Sequence, residues 1–298
     1  VGNGLKRCIA NLALAIVRKR RHLGARNRPA RTRPRESTGP MTTDHELLDA
    51  TPWDIGRGDI GADDDKLREE CGIFGVLGVR DAAATVALGL HALQHRGQEA
   101  VGITSFDGQE FYSRKGIGHV AANFSTGSAI AELPGMMASG HVRYSTTGGA
   151  GLRNVQPLFA DLASGGFSIA HNGNISNAMF LKRDLVRKGA IFQSTSDTEV
   201  IIHLVATSRY PTLLDRFVDA LRLIEGAYSL ICMTPEGMIA CRDPLGIRPL
   251  VLGDLHGKPV LASETCALDI IGARFVRDIE HGEMVVIDAH GVETISPF

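Results

Sequence analysis

Glu69-Glu70-Cys71-Gly72-Ile73-Phe74-Gly75 decides how this chain is read. A cysteine opens an apolar, glycine-studded run directly after two acids. The plainest account is a core cysteine at the head of a buried strand, since free Cys is among the most buried residue types. The surrounding segments favour another account, in which the bond before Cys71 is cut. Cys71 then offers a thiol nucleophile and, in its freed α-amine, the base that activates it. An α-amine ordinarily titrates at about 7.7–8.0, near neutrality as a general base should. One residue would supply what a Cys–His pair divides between two.

The upstream segment differs in character. Residues 1–40 carry eleven Lys or Arg against one acid, Glu36, although the 298-residue chain sums to −1. That near-neutral sum gives no argument for a nucleic-acid partner, and the basic stretch has no aromatic platform. Cys8 to Val17 is apolar, but ten residues are too short to cross a hydrocarbon layer of ~30 Å as a helix. Residues 41–70 turn acidic and glycine-rich, a composition suited to an exposed, cleavable segment. Residues 1–70 are expected to be a disordered leader or propeptide, with Met41 a candidate start. Five scattered cysteines show no CxxC or Cys/His metal spacing, and their odd number argues against a disulfide framework. A reducing cytoplasm, no membrane and no metal are expected.

Downstream, short strand-like runs dominate. Cys71–Gly78 is followed by a helix with Asp81 as its cap and Val86, Leu90 and Leu93 on one face. Strands are predicted at Val101–Phe106, Glu110–Arg114, Ala138–Ser145 and Phe167–Ala170. Asn177 is read as the cap of a helix reaching Lys188. Ser196 to Glu199 reads as a capping box. Thr212 to Glu225 carries a clear amphipathic stripe. Five further strand runs lie between Ser229 and Asp288. Antiparallel runs interrupted by grouped helices predict an α+β fold.

Several clusters could carry chemistry. Arg143, ending a β run in His141-Val142-Arg143-Tyr144-Ser145-Thr146, suits a carboxylate or a surface ion pair. The Asn172 amide and the Gly173 N–H suit an oxyanion hole, but the dipeptide also reads as a turn. Asp197 could meet an ammonium group or complement a helix dipole. Arg96 and Gly97 fit near Cys71, or serve packing. Asp243–Pro249 reads as a rigid turn without assignable chemistry. Together these match a free amino acid with an electrophilic side chain, such as glutamine.

In the same order, Cys71-Gly-Ile-Phe-Gly, Leu93-Gln-His-Arg-Gly-Gln-Glu99, Gly140-His-Val-Arg-Tyr-Ser145, Ala170-His-Asn-Gly-Asn-Ile175, Ser196-Asp-Thr-Glu199, Asp243-Pro-Leu-Gly-Ile-Arg-Pro249 and Ser263-Glu-Thr-Cys-Ala-Leu-Asp269 resemble the motifs of the class II glutamine amidotransferases. The likeness is greatest to the branch that aminates phosphoribosyl pyrophosphate in the first step of purine synthesis. It covers residues 69–298, and Glu69-Glu70 resembles the propeptide junction of processed members. It implies an N-terminal-nucleophile hydrolase domain over 71–298, a four-layer αββα sandwich with two stacked antiparallel sheets. It implies Cys71 as nucleophile, Asn172 and Gly173 as oxyanion hole, Arg143 on the glutamine carboxylate and Asp197 on its ammonium. Arg96 and Gly97 would support the Cys71 end, and Thr146 would touch substrate. The phosphoribosyltransferase domain is expected to be absent from this sequence. Its phosphoribosyl pyrophosphate, Mg2+, a 4Fe-4S cluster of some members, and assembly as a homo-oligomer, a tetramer, belong to the full-length enzyme. Cys266 is not assignable to that cluster. The rivals are the glutaminase halves of glucosamine-6-phosphate and asparagine synthesis, and a non-catalytic remnant.

Overall fold

The computed structural model describes residues 71–144 and 151–298. The expected leader, Met41, the Glu69-Glu70 junction, Ser145 and Thr146 lie outside the described residues. The elements run β1 (Gly72–Leu77), α1 (Ala82–Ala92), a 3-10 turn (Leu93–Arg96), β2 (Ala100–Phe106), β3 (Phe111–Ile117), α2 (Val120–Phe124), α3 (Gly127–Ala131) and β4 (Met137–Arg143). After them come β5 (Leu158–Leu162), β6 (Gly165–Ile175), α4 (Ala178–Arg187), α5 (Thr198–Thr207), α6 (Leu213–Leu221), β7 (Gly226–Thr234) and β8 (Gly237–Arg242). The described chain ends with β9 (Val251–Leu255), β10 (Lys258–Ala262), α7 (Cys266–Ile271), β11 (Arg274–Asp278), β12 (Met284–Asp288) and β13 (Gly291–Ile295).

One sheet orders its strands β11-β9-β10-β1-β4-β2-β3, the other β13-β12-β8-β7-β6-β5. Adjacent strands pair antiparallel throughout, as the sequence predicts. Strand alternation sorts the apolar residues into layers. Phe74, Val76, Val101, Ile103 and Val142 turn outward against α1 and α7. Phe167, Ile169, Leu230 and Cys232 turn outward against α5 and α6. Ile73, Met137, Ala170, Ile231 and Leu261 fill the layer between the sheets. Helix, sheet, sheet, helix is the expected sandwich. At Gly89 a Cβ would stand 2.6 Å from the Phe74 ring, so only glycine lets α1 lie this close to β1.

Local chemistry departs from the sequence reading in several places. Asp81 precedes α1 in a left-handed conformation and makes no side-chain cap. The expected box at Ser196 to Glu199 is not formed, because Glu199 accepts from Gln193 and Ser194 N–H groups. Asp197 itself caps α5 from its Thr198 N–H. Asn177 does not cap α4; its amide spans to the Leu223 carbonyl and the Glu225 N–H. The stripe from Thr212 yields only a nine-residue helix, α6, although Phe217, Leu221 and Ile224 are all buried. The largest departure is at His171-Asn172-Gly173-Asn174, which continues β6 and is not a turn. Its partners on β7 supply the ladder that outweighs the local Asn-Gly preference.

Candidate active site

Cys71 sits one residue before β1 with φ 65°, a left-handed value unusual for a residue with a side chain. Its backbone is held from both sides by one arginine. The Cys71 N–H donates to the Arg96 carbonyl at 3.0 Å, and Arg96 Nε donates to the Cys71 carbonyl at 2.7 Å. Arg96 is 1% exposed, and its Nη1 pairs with Glu264. Burial raises the Glu264 pKa, but the hydrogen bond and charge of Arg96, with His95, hold it below the usual carboxylate range. Gly97 follows the clamp where it crosses β4: a Cβ there would stand 2.6 Å from the Arg143 carbonyl carbon. Arg96 thus holds the Cys71 backbone, and Gly97 lets the chain after it lie against β4.

β4 carries the next residues. Gly72 pairs with Val142, which brings Arg143 level with Cys71, and Cys71 Sγ lies 3.8 Å from the Tyr144 carbonyl. Ser139, His141 and Arg143 alternate with Val142 and so share the face of Met137, toward the other sheet. His141 is fully buried. Burial, then the nearby charges of His171 and Arg143, push its pKa down to about 3, so its ring is neutral at physiological pH. Thr146, the other expected contact on this segment, lies outside the described residues.

From the facing sheet, β6 packs across β1 and β4. Asn172 alternates with Ile169 and His171 and shares the face of Ala170, so its amide points into the layer between the sheets. It is 0% exposed, and neither its Nδ2 nor its Oδ1 has a hydrogen-bond partner among the described residues. Leaving a buried amide unpaired costs about 1–3 kcal/mol, and Ser139, His141 and His171 also bury side-chain polar atoms without a hydrogen-bond partner among the described residues. Gly173 follows with φ 146°, and a Cβ would come within 2.0 Å of the Ala227 carbonyl oxygen, so no other residue fits. Asp197 Oδ2 accepts from the Ile175 N–H at 2.9 Å, and Oδ1 lies 3.8 Å from His171 Nδ1. The expected set thus splits between sheets: Cys71, Arg96, Gly97 and Arg143 on one, and Asn172, Gly173 and Asp197 on or beside the other.

The sequence did not disclose the residues that brace this set. The Gln156 amide oxygen accepts from the His171 N–H at 2.6 Å, and its nitrogen donates to Thr198 Oγ1 at 3.1 Å. Asn154 joins its loop to Thr195 through a pair of hydrogen bonds, next to Asp197. Ser263 Oγ accepts from the Ile73 N–H at 3.0 Å, and Glu264 anchors Arg96. The Asp243–Pro249 turn also acquires a place. Buried Asp243 gathers the Leu245, Ile247 and Arg248 N–H groups, and Ser229, the ladder partner of Asn172, donates to the Arg248 and Pro249 carbonyls. Apart from the local bonds within the Asp243–Pro249 turn, these contacts join residues distant in sequence, and Asn154 and Gln156 lay outside every motif quoted above.

The described residues do not fit a 4Fe-4S cluster. Cys232 and Cys241 are buried in the apolar layer, where burial pushes both thiols up, and no group of four cysteines gathers. No described helix is long and apolar enough to cross a membrane.

Residues 141–269 match the family model of a glutamine amidotransferase domain. The chain is 57% identical over 234 residues to an amidophosphoribosyltransferase of Rhizobium etli, covering 78% of this chain and 47% of that protein. Among solved structures it is similar to the allosteric regulatory enzyme of purine biosynthesis (TM-score 0.74, 43% identity, 76% of this chain and 49% of that one). It is also similar to the glutamine phosphoribosylpyrophosphate amidotransferase of Bacillus subtilis (TM-score 0.73, 42% identity, 76% and 49%). The chain spans about half the length of the curated relatives it matches.

Proposed function

We infer the function from what the chain carries, a glutamine amidotransferase domain of the kind found in amidophosphoribosyltransferases. It splits glutamine to glutamate and ammonia through a thioester on Cys71. Cleavage before Cys71 frees the α-amine and also removes the left-handed φ, since that dihedral exists only while residue 70 is attached. The amine takes the thiol proton, and the thiolate attacks the side-chain carboxamide. The Asn172 amide and the Gly173 N–H receive the developing oxyanion. Ammonia departs with the proton, and water then releases glutamate. Arg143 pairs with the substrate α-carboxylate, Asp197 with its α-ammonium, and Thr146 adds a contact. Arg96 and Gly97 fix the nucleophile's backbone.

The observation that carries this reading is the buried, unpartnered Asn172 amide on β6, which packs across β1, the strand that Cys71 heads. The ammonia passes to phosphoribosyl pyrophosphate, giving phosphoribosylamine for purine synthesis. That step, its Mg2+ and the cluster of some members belong to the phosphoribosyltransferase part of the full-length enzyme. We place the whole enzyme in the cytoplasm as a homo-oligomer, a tetramer. The test is a glutaminase assay of chain beginning at Cys71, with mass spectrometry of the quenched enzyme. A γ-glutamyl adduct on Cys71, lost with activity in Cys71→Ala, is expected. Undiminished ammonia release by Cys71→Ala would sink the reading.

A further inference from the structure

We propose that His95 Nε2, Glu264 Oε2 and Cys266 Sγ form a binding site for one divalent cation of the zinc class. The His and the other two are brought together from opposite ends of the domain, by the 3-10 turn after α1 and by the start of α7. His95 Nε2 is 3.0 Å, and Cys266 Sγ 3.4 Å, from the same carboxylate oxygen, and the three donor atoms lie within 4.8 Å of one another. Zinc bonds of about 2.0–2.3 Å to N, O and S place tetrahedral ligands roughly 3.3–3.8 Å apart, so the triad is nearly closed already.

A second observation concerns orientation. His95 Nδ1 is 3.0 Å from the Ala92 carbonyl, which can only accept, so that nitrogen donates there and turns Nε2 toward the other two donor atoms. Nε2 and Glu264 Oε2 meet at 3.0 Å. The supports also match those of a metal centre: a backbone carbonyl behind the histidine, and Arg96 on the other oxygen of Glu264. A mixed nitrogen, oxygen and sulfur set favours zinc-like ions over Mg2+ and Ca2+, which take oxygen. Half-exposed His95 leaves a fourth position open to solvent. On binding, the thiol proton of Cys266 is released to solvent and the metal–sulfur bond forms without redox change. The site stands independently of the glutaminase reading.

The test is titration of the full chain with Co2+, followed by the thiolate-to-cobalt absorption band, and then displacement by Zn2+. One equivalent is expected, with the band lost in Cys266→Ser, binding weakened about tenfold or more in His95→Ala, and no change in Cys71→Ala. In the unsubstituted chain, Zn2+ should protect Cys266 from alkylation as mapped by peptide mass, a readout that needs no variant to fold. A band that survives in Cys266→Ser or vanishes in Cys71→Ala, or alkylation of Cys266 unaffected by Zn2+, overturns the proposal.

Discussion

Asn172 should be the residue most sensitive to small change. Asn172→Ala removes one oxyanion donor and should lower kcat by about 10²–10³, with KM little changed, in a steady-state glutaminase assay. An effect confined to KM would place Asn172 in ground-state binding instead. Gly97→Ala pushes a methyl group against the Arg143 backbone and should cost about 1–3 kcal/mol of stability in denaturant unfolding, together with activity. The pH dependence has two separable causes. An α-amine base makes kcat/KM fall as pH drops through about 7.7–8.0. His141 is kept neutral by burial, so below its ordinary value of 6.5 the unfolded chain binds a proton that the folded chain refuses until about pH 3. Unfolding free energy should therefore decline as pH falls across that window, by at most about 1.4 kcal/mol per unit for this one group. His141→Gln should shallow that slope. Cys71 and Asn172 were singled out by the motifs around them, although the Asn172-Gly173 dipeptide taken locally reads as a turn. The bracing roles of Gln156 and Glu264 were not legible, because each acts through a partner that only the fold brings near.

Among the elements, β6 shows how far local reading reaches. The Asn172-Gly173 dipeptide favours a turn, yet eight successive pairs with β7 hold it extended, and Gly173 is needed there for its close approach to Ala227. The amphipathic stripe of α6 was legible because the 3.6-residue period survives any context, but its end was not. The helix stops at Leu221 and leaves Ile224 buried beyond it. Thr212 caps α6 by accepting from the Asp215 N–H at 3.1 Å, far from the candidate site. Thr212→Ala should cost about 1 kcal/mol in thermal or denaturant unfolding and leave glutaminase turnover unchanged. A loss of turnover at full stability would tie α6 to the site in a way its packing does not suggest.

For the whole molecule, alternating apolar strands and grouped helices foresaw an α+β fold with antiparallel sheets, while the stacking of two sheets between helix layers came only from the family resemblance. Strand order was not legible, since β1 pairs with β4 and β10 across long intervals of sequence. The sandwich sets Cys71 at the head of β1 in one sheet and Asn172 and Gly173 on β6 in the other, so the proposed site needs both sheets stacked. The account rests on Cys71 being a chain terminus, and the most direct measurement is the intact mass of the species that turns over glutamine. Activity should reside wholly in molecules whose first residue is Cys71. Equal turnover by molecules still carrying Glu70 on that nitrogen would contradict it.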